Sequence, residues 1–442
     1  LTAVWAGVAQ ARTGSLDRGF GDGGRIMLGG GPGYPGMEVG GDGSITVFSP
    51  ERDGPQLRRF LPNGRLDPSF GVGGGQVLAR SIDGSPQELN SMELDSQGRI
   101  IIFGSAYPPG RPEIGQSSGF ATSNVPVSRA VVMRLLPDGQ LDPSFGVGGR
   151  VVDDFGLRGV GELGTEPTTV AWYGVVDSAD RPVFPVAVAD GYSPCHGHSF
   201  GAHRPVAAVR LTTSGALDDS FGGGDGTSLL PYLNDLSGFA VDANDRLLVA
   251  GDADNNPCRS SQVLVGFDAA GTQVAEVGKG RRLFRGATFE YLTPAGDLIM
   301  RCGYPTAEVA RVSPLGVLDR TFGDNGFAPV GLPRGGNRWL RPVASDSEGR
   351  ILLLGSYSRP TKSHGKRAFI LVERLLSDGR PDRSFGKNGR LSVPIPGVGA
   401  PLDYSEGALD PQGRLVVLSS ILEDRGYGYN VKGFLVRLRL DS

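Results

Sequence analysis

A six-residue signature recurs along this chain and limits the fold more than any other feature. Leu-Asp-Pro-Ser-Phe-Gly stands at 66–71 and 141–146, with close copies at 16–21, 217–222, 318–323 and 381–386. An Arg precedes the motif Asp by eight positions in five copies: Arg59 and Asp67, Arg134 and Asp142, Arg210 and Asp218, Arg311 and Asp319, Arg374 and Asp382. A seventh, eroded copy reads as Gln-Val-Ala-Glu-Val-Gly at 273–278, aligned without a gap. The motifs lie 45 to 76 residues apart, as expected of a unit whose core is fixed and whose loops vary.

Each Arg sits in a short apolar or alternating run, such as Ala130 to Leu136, that reads as a strand. Between motifs lies a hairpin signature, for example residues 92–104 (MELDSQGRIIIFG) and 343–355 (VASDSEGRILLLG), in which a polar Asp/Gly turn joins two β-branched runs. A unit is therefore a hairpin (strands a and b), strand c, the motif turn and strand d. The 71 Gly and 32 Pro, with 39% apolar residues, suit many brief strands joined by tight turns. No window sustains the helical 3.6 spacing.

The two ends of the repeat complement each other. The run 434–440 (FLVRLRL) carries Arg437 at the strand-c position, and the motif that should follow it is Asp17 and Phe20, with the strand 25–28 behind. The expected fold is an all-β closed propeller of about seven four-stranded antiparallel blades, one completed by both termini, which removes a free sheet edge. It spans 13–442 as a single domain. Residues 1–12 are apolar, rich in small residues and end in Ala9-Gln10-Ala11, which reads as a signal-peptide remnant or an N-terminal extension.

The motif, its upstream Arg and Gly, and the Asp-Gly-Arg hairpin resemble the delta-60-repeat family of bacterial, mostly secreted proteins. The resemblance runs from Gly14 to Leu440 and implies a propeller and an exported location: periplasmic, cell-surface or extracellular. It implies no general catalytic assignment and no substrate.

A group repeated six times is architecture. The motif Asp is expected to accept backbone N–H bonds at the turn and to pair with the Arg, while Phe20, Phe70, Phe145, Phe221, Phe322 and Phe385 plug between blades. Connections a–b and c–d share one face of the ring. Connections b–c and d–a share the other, where loops swell at 106–128, 155–170, 190–205, 332–340, 356–366 and 421–432. Long loops on one rim of a rigid scaffold are where binding residues usually sit.

On that face Tyr107, Tyr192, Tyr357, Tyr427 and Tyr429 are the expected recognition aromatics. Cys195 and Cys258 occupy matching b–c loops of adjacent blades and read as a disulfide, which an exported protein permits. His196, His198 and His203 lie beside Cys195, but their spacing matches no known metal motif, so neither metal nor cofactor is expected. Asp252, Asp254 and Asn256 open like a calcium loop that then fails at Pro257. Cys302 reads as a buried free thiol.

The net charge of −3 offers no basic stripe for nucleic acid, and no apolar run is long enough to span a membrane as a helix. These readings point to a non-catalytic exported propeller holding a protein partner or surface glycan on its loop face, conceivable as a peripheral subunit of a membrane-anchored assembly. The alternative is a polysaccharide-active hydrolase or lyase. That reading requires two or more carboxylates, or a metal, brought to the central funnel by different blades.

Overall fold

The computed structural model describes the chain apart from residues 1–13, 32–34, 52–53, 79–80, 83–84, 108–127, 158–168, 172, 190–202, 232, 234, 253–261, 278–287, 303–307, 332–339, 361–365, 396–397, 399–401, 403, 425–428 and 441–442. Seven antiparallel sheets form the blades of a β-propeller. Blade 1 runs through Gly36–Val39, Ile45–Glu51, Gly54–Phe60 and Gly75–Val77, from inner strand a to outer strand d. Blades 2 to 6 begin at Ser85, Thr169, Asp235, Thr288 and Arg341 and follow the same order. The inner strand of blade 3 is split into Thr169–Val170 and Val175–Val176.

Blade 7 takes Tyr404–Leu409, Leu415–Asp424 and Tyr429–Arg439 from the end of the chain. Its outer strand, Arg25–Gly31, and the short Ser15–Leu16 come from the beginning, both paired to Tyr429–Arg439. Inner strands of successive blades touch all the way round, blade 7 against blade 1 included, so the ring is closed. Among the described residues no helix is long and apolar enough to cross a membrane.

The core is divided among the joints between blades. Seven clusters of buried side chains each join two neighbouring blades, and six of them contain the motif Phe of the earlier blade. These six rings are at most 2% exposed. The tight turn of the next blade receives them: Gly64, at φ +83°, would place a Cβ 2.9 Å from the Phe20 ring, and Gly139 one 2.9 Å from Phe70. A side chain there would both strain the left-handed backbone and displace the ring.

Around each Phe the Arg and Asp close a staple. The Arg Nε donates to the motif carboxylate at 2.7 Å (Arg59–Asp67), 2.8 Å (Arg134–Asp142), 2.7 Å (Arg210–Asp218), 2.8 Å (Arg311–Asp319), 2.7 Å (Arg374–Asp382) and 3.0 Å (Arg437–Asp17). The guanidinium lies over the motif Phe, 4.5–5.3 Å from the ring centroid. It then reaches across the joint. Arg59, Arg134, Arg210, Arg311 and Arg437 donate to the carbonyls of Pro137, Thr213, Ala269, Ser377 and Pro62 in the following blade. The motif Gly adds a backbone bond to the same turn, for instance Gly71 to Asp138 at 2.7 Å.

Burial by itself would raise the carboxyls of Asp142 and Asp218. Bonds from the hydroxyl and N–H of Ser144 or Ser220, together with the Arg, outweigh it and hold both below the usual range. The a–b turns lie on the same face as the motif turns: Arg181, from the blade 3 hairpin, also donates to Asp218 at 3.0 Å.

The gapless reading of 273–278 as a motif copy is corrected here. Gln273–Val277 is the outer strand of blade 4, with Ala275 paired to Gly266. In blade 2 the corresponding outer-strand residue is Gly149, ten positions beyond the turn glycine Gly139, whereas Ala275 follows Gly271 by four. Blade 4 has therefore lost the whole motif loop, not merely its sequence. The seven-residue interval from Gly271 to Gly278 matches Gly64 to Gly71 and conceals the deletion.

Candidate functional site

Two regions remain once the staples are accounted for: the loop face and the central channel. On the loop face, Tyr192, Tyr427, Cys195, Cys258, His196 and His198 lie outside the described residues, as do the side chains of Tyr429 and His203. His203 is placed as the first residue of strand His203–Arg210, and Tyr429 as the first of Tyr429–Arg439. Tyr107 begins the long b–c loop of blade 2, half-buried, and its hydroxyl donates to the Glu88 carboxylate at 3.1 Å. Burial, followed by the charge of Glu88, pushes its phenol far up, so it stays a neutral donor.

Tyr357 is not the exposed aromatic that its sequence neighbourhood suggested. Strand Ile351–Pro360 carries it further than a loop would, and it is 6% exposed. It stacks on Phe369 with ring centroids 4.8 Å apart, and its hydroxyl bonds to Ser392 Oγ at 2.5 Å. Arg359 covers both rings, 5.1 Å and 5.8 Å from their centroids. A continuous hairpin strand therefore turned an expected contact residue into a core one.

The channel holds what sequence reading missed. Glu38, Glu93 and Glu406 lie on the inner strands of blades 1, 2 and 7, three consecutive positions round the ring. Each is partly open to the channel but enclosed by protein around it. Burial, then repulsion among the three carboxylates, raises Glu38 well above the ordinary range and Glu93 to about 8. At neutral pH such a group holds a proton that it can give away.

On the opposite wall Glu290 is nearly buried and accepts from Arg301 at 2.9 Å and Arg341 at 2.7 Å. A cavity of about 160 Å³ lies between blades 5, 6 and 7, lined by Glu290, Arg341, Val343, Ser405 and Glu406 among others. Glu406 thus belongs both to the carboxylate cluster with Glu38 and Glu93 and to a pocket that it shares with Glu290 and the half-exposed guanidinium of Arg341. Among the described residues no group of three or more His, Cys, Asp or Glu side chains is arranged to hold a metal ion.

A signal for part of this was present in the sequence. Two residues before the a–b turn, blades 1 and 2 carry Glu38 and Glu93, where the other hairpins carry Val175, Ala240, Tyr291, Ala344 and Ala408. Glu406 sits two residues further out and joins the cluster only through the curvature of the ring.

A family model described as "Domain of unknown function (DUF5122) beta-propeller" matches residues 118–145, the stretch that ends within the Leu-Asp-Pro-Ser-Phe-Gly motif of blade 2. No curated protein matches the chain. Among solved structures, a protein of unknown function from Dyadobacter fermentans is 16% identical, with TM-score 0.40, covering 82% of this chain and 98% of that one. The polysaccharide lyase Uly1 is 12% identical, with TM-score 0.46, covering 96% and 92%. The NanB sialidase of Streptococcus pneumoniae is 11% identical, with TM-score 0.40, covering 93% and 69%.

Proposed function

We propose that this propeller is a non-catalytic, exported binding ring that holds a protein partner or a cell-surface polymer on its long-loop face. The observation that carries the reading is the division of labour between the two faces. Every complete motif turn is engaged by its Arg, most of them across to the next blade, so that face serves the ring itself. The insertions of variable length all emerge on the other side. Long loops on one rim of a rigid frame are where recognition residues usually sit. The resemblance of the motif to the delta-60-repeat proteins supports export. Attachment to a membrane-anchored assembly as a peripheral subunit belongs to the same reading.

The test is affinity capture from native membranes and culture supernatant, with the intact chain and with loop 106–128 shortened. A partner captured by the first and lost by the second supports the reading. Equal capture by both moves the site elsewhere.

A second reading is favoured by the channel. Carboxylates from different blades converge there, which a glycan hydrolase or lyase needs for proton transfer. In that reading Glu93 is the acid, and the charge of Arg341 steadies an anionic sugar. Release of reducing ends or unsaturated sugars from a glycan panel, abolished by Glu93→Gln with the fold intact, would establish it.

A further inference from the structure

The joint between blades 4 and 5 differs from the other six in three ways at once. First, the missing motif loop removes the Asp and the Phe. Second, strand c of blade 4 carries Gly266 where the other blades carry the Arg. A Cβ on Gly266 would lie 3.5 Å from the carbonyl oxygen of Pro314, the blade 5 counterpart of the Pro137, Thr213, Ala269, Ser377 and Pro62 acceptors. Among the described residues that oxygen receives no hydrogen bond. Third, among the described residues the cluster filling this joint, which includes Leu248, Leu264, Leu298, Met300, Cys302 and Val312, contains no fully buried aromatic. The other six clusters each hold the motif Phe. The Arg–Asp pair, the cation–π contact and the buried ring are therefore all withheld from one joint of a ring that repeats these three at the other six.

Local opening follows the weakest cooperative contact, and a closed ring needs only one joint to part. We infer that the ring opens between blades 4 and 5, and that Cys302 is the side chain uncovered when it does. Cys302 ends strand Leu298–Cys302 and is 7% exposed, facing the blade 4 residues of the cluster. Val186 stands at the same strand position in blade 3 and is fully buried in the stapled joint with blade 2. The molecule thus provides its own control.

The experiment is alkylation of the native full-length chain by N-ethylmaleimide, read thiol by thiol by peptide mass mapping. Three chains are compared. The first is the protein itself and the second carries Val186→Cys. The third has residues 272–275 replaced by the sequence of 140–149 together with Gly266→Arg, which restores the staple.

Cys302 is expected to label faster than the protein unfolds globally, with unfolding followed by tryptophan fluorescence. It should also label about tenfold or more faster than the cysteine at position 186, and the restored staple should slow it by a similar factor. Equal labelling of the two positions, or labelling of Cys302 only at the global unfolding rate, overturns the inference. Should the repaired chain fail to fold, the comparison with Val186→Cys still decides.

Discussion

The joint between blades 2 and 3 and the joint between blades 4 and 5 occupy the same place in the repeat and are built on opposite terms. In the first, Arg134 is 2% exposed and Asp142 4%, locked together over Phe145 and bonded onward to Thr213. In the second, the repeat's cation, anion and ring are all missing among the described residues. Loss of only one member would leave a buried charge without its partner, which costs more than the pair contributes. A deletion that takes the loop, paired with Gly at the Arg position, avoids that penalty. The tolerated change is the complete one, and the contrast can be broken from either side.

The largest effect is expected from Asp142→Ala. It strands the Arg134 guanidinium in the joint and should lower the unfolding free energy by about 3–5 kcal/mol in urea titration. Removing both partners, with Arg134→Met alongside Asp142→Ala, should restore a good part of that loss. If the double variant is no better than the single one, the account of the deletion in blade 4 is wrong. Next comes Phe70→Ala, which empties a fully buried ring site and should cost about 3 kcal/mol. Because the staple carboxyls are held below their ordinary range in the fold, their contribution is present above the unfolded value and lost as pH falls beneath it. Acid should therefore loosen the six stapled joints and leave the seventh unmoved, which amide hydrogen exchange at low pH would resolve by blade.

A smaller effect of opposite sign is expected in the channel. Glu93 rises to about 8 in the folded protein, so between the ordinary carboxylate range and that value the folded state binds the extra proton. Stability should fall as pH rises through this window. Glu93→Gln should flatten the fall and raise stability by about 1 kcal/mol or more at pH 8, seen in paired thermal melts at pH 5 and pH 8. The least effect belongs to Val274→Ala on the outer strand of blade 4. The side chain is exposed and has no staple to serve, so the change should stay within about 0.5 kcal/mol.

Much of the ring was legible because its determinants are local. The interval of eight between Arg and Asp is a strand end followed by a tight turn, and the flanking hairpins announce themselves by their Asp/Gly turns. Even the closure by both ends followed from where the repeat is cut. Three things resisted. The blade 4 deletion hid behind two glycines at the right separation, since a gapless comparison counts residues and takes no account of strand register. The burial of Tyr357 depended on how far a hairpin continues past its turn, which pairing with strand Lys366–Leu375 decides. The channel carboxylates come together across blades 1, 2 and 7, and Glu406 reaches Glu38 and Glu93 only because the ring is bent shut.

That shutting has a consequence for how the protein is made. Strand Arg25–Gly31 leaves the ribosome roughly four hundred residues ahead of Tyr429–Arg439, the strand it pairs with. At translation rates of about 5–20 residues per second it waits about 20–80 s with both edges bare. An exposed apolar strand would use that interval to pair with a neighbouring chain. The sequence of this one, Arg-Ile-Met-Leu-Gly-Gly-Gly, devotes nearly half its length to the residue least suited to premature strand pairing. A weak strand is what a seam that must stay open through synthesis calls for, and Arg437 seals it on arrival by gripping Asp17.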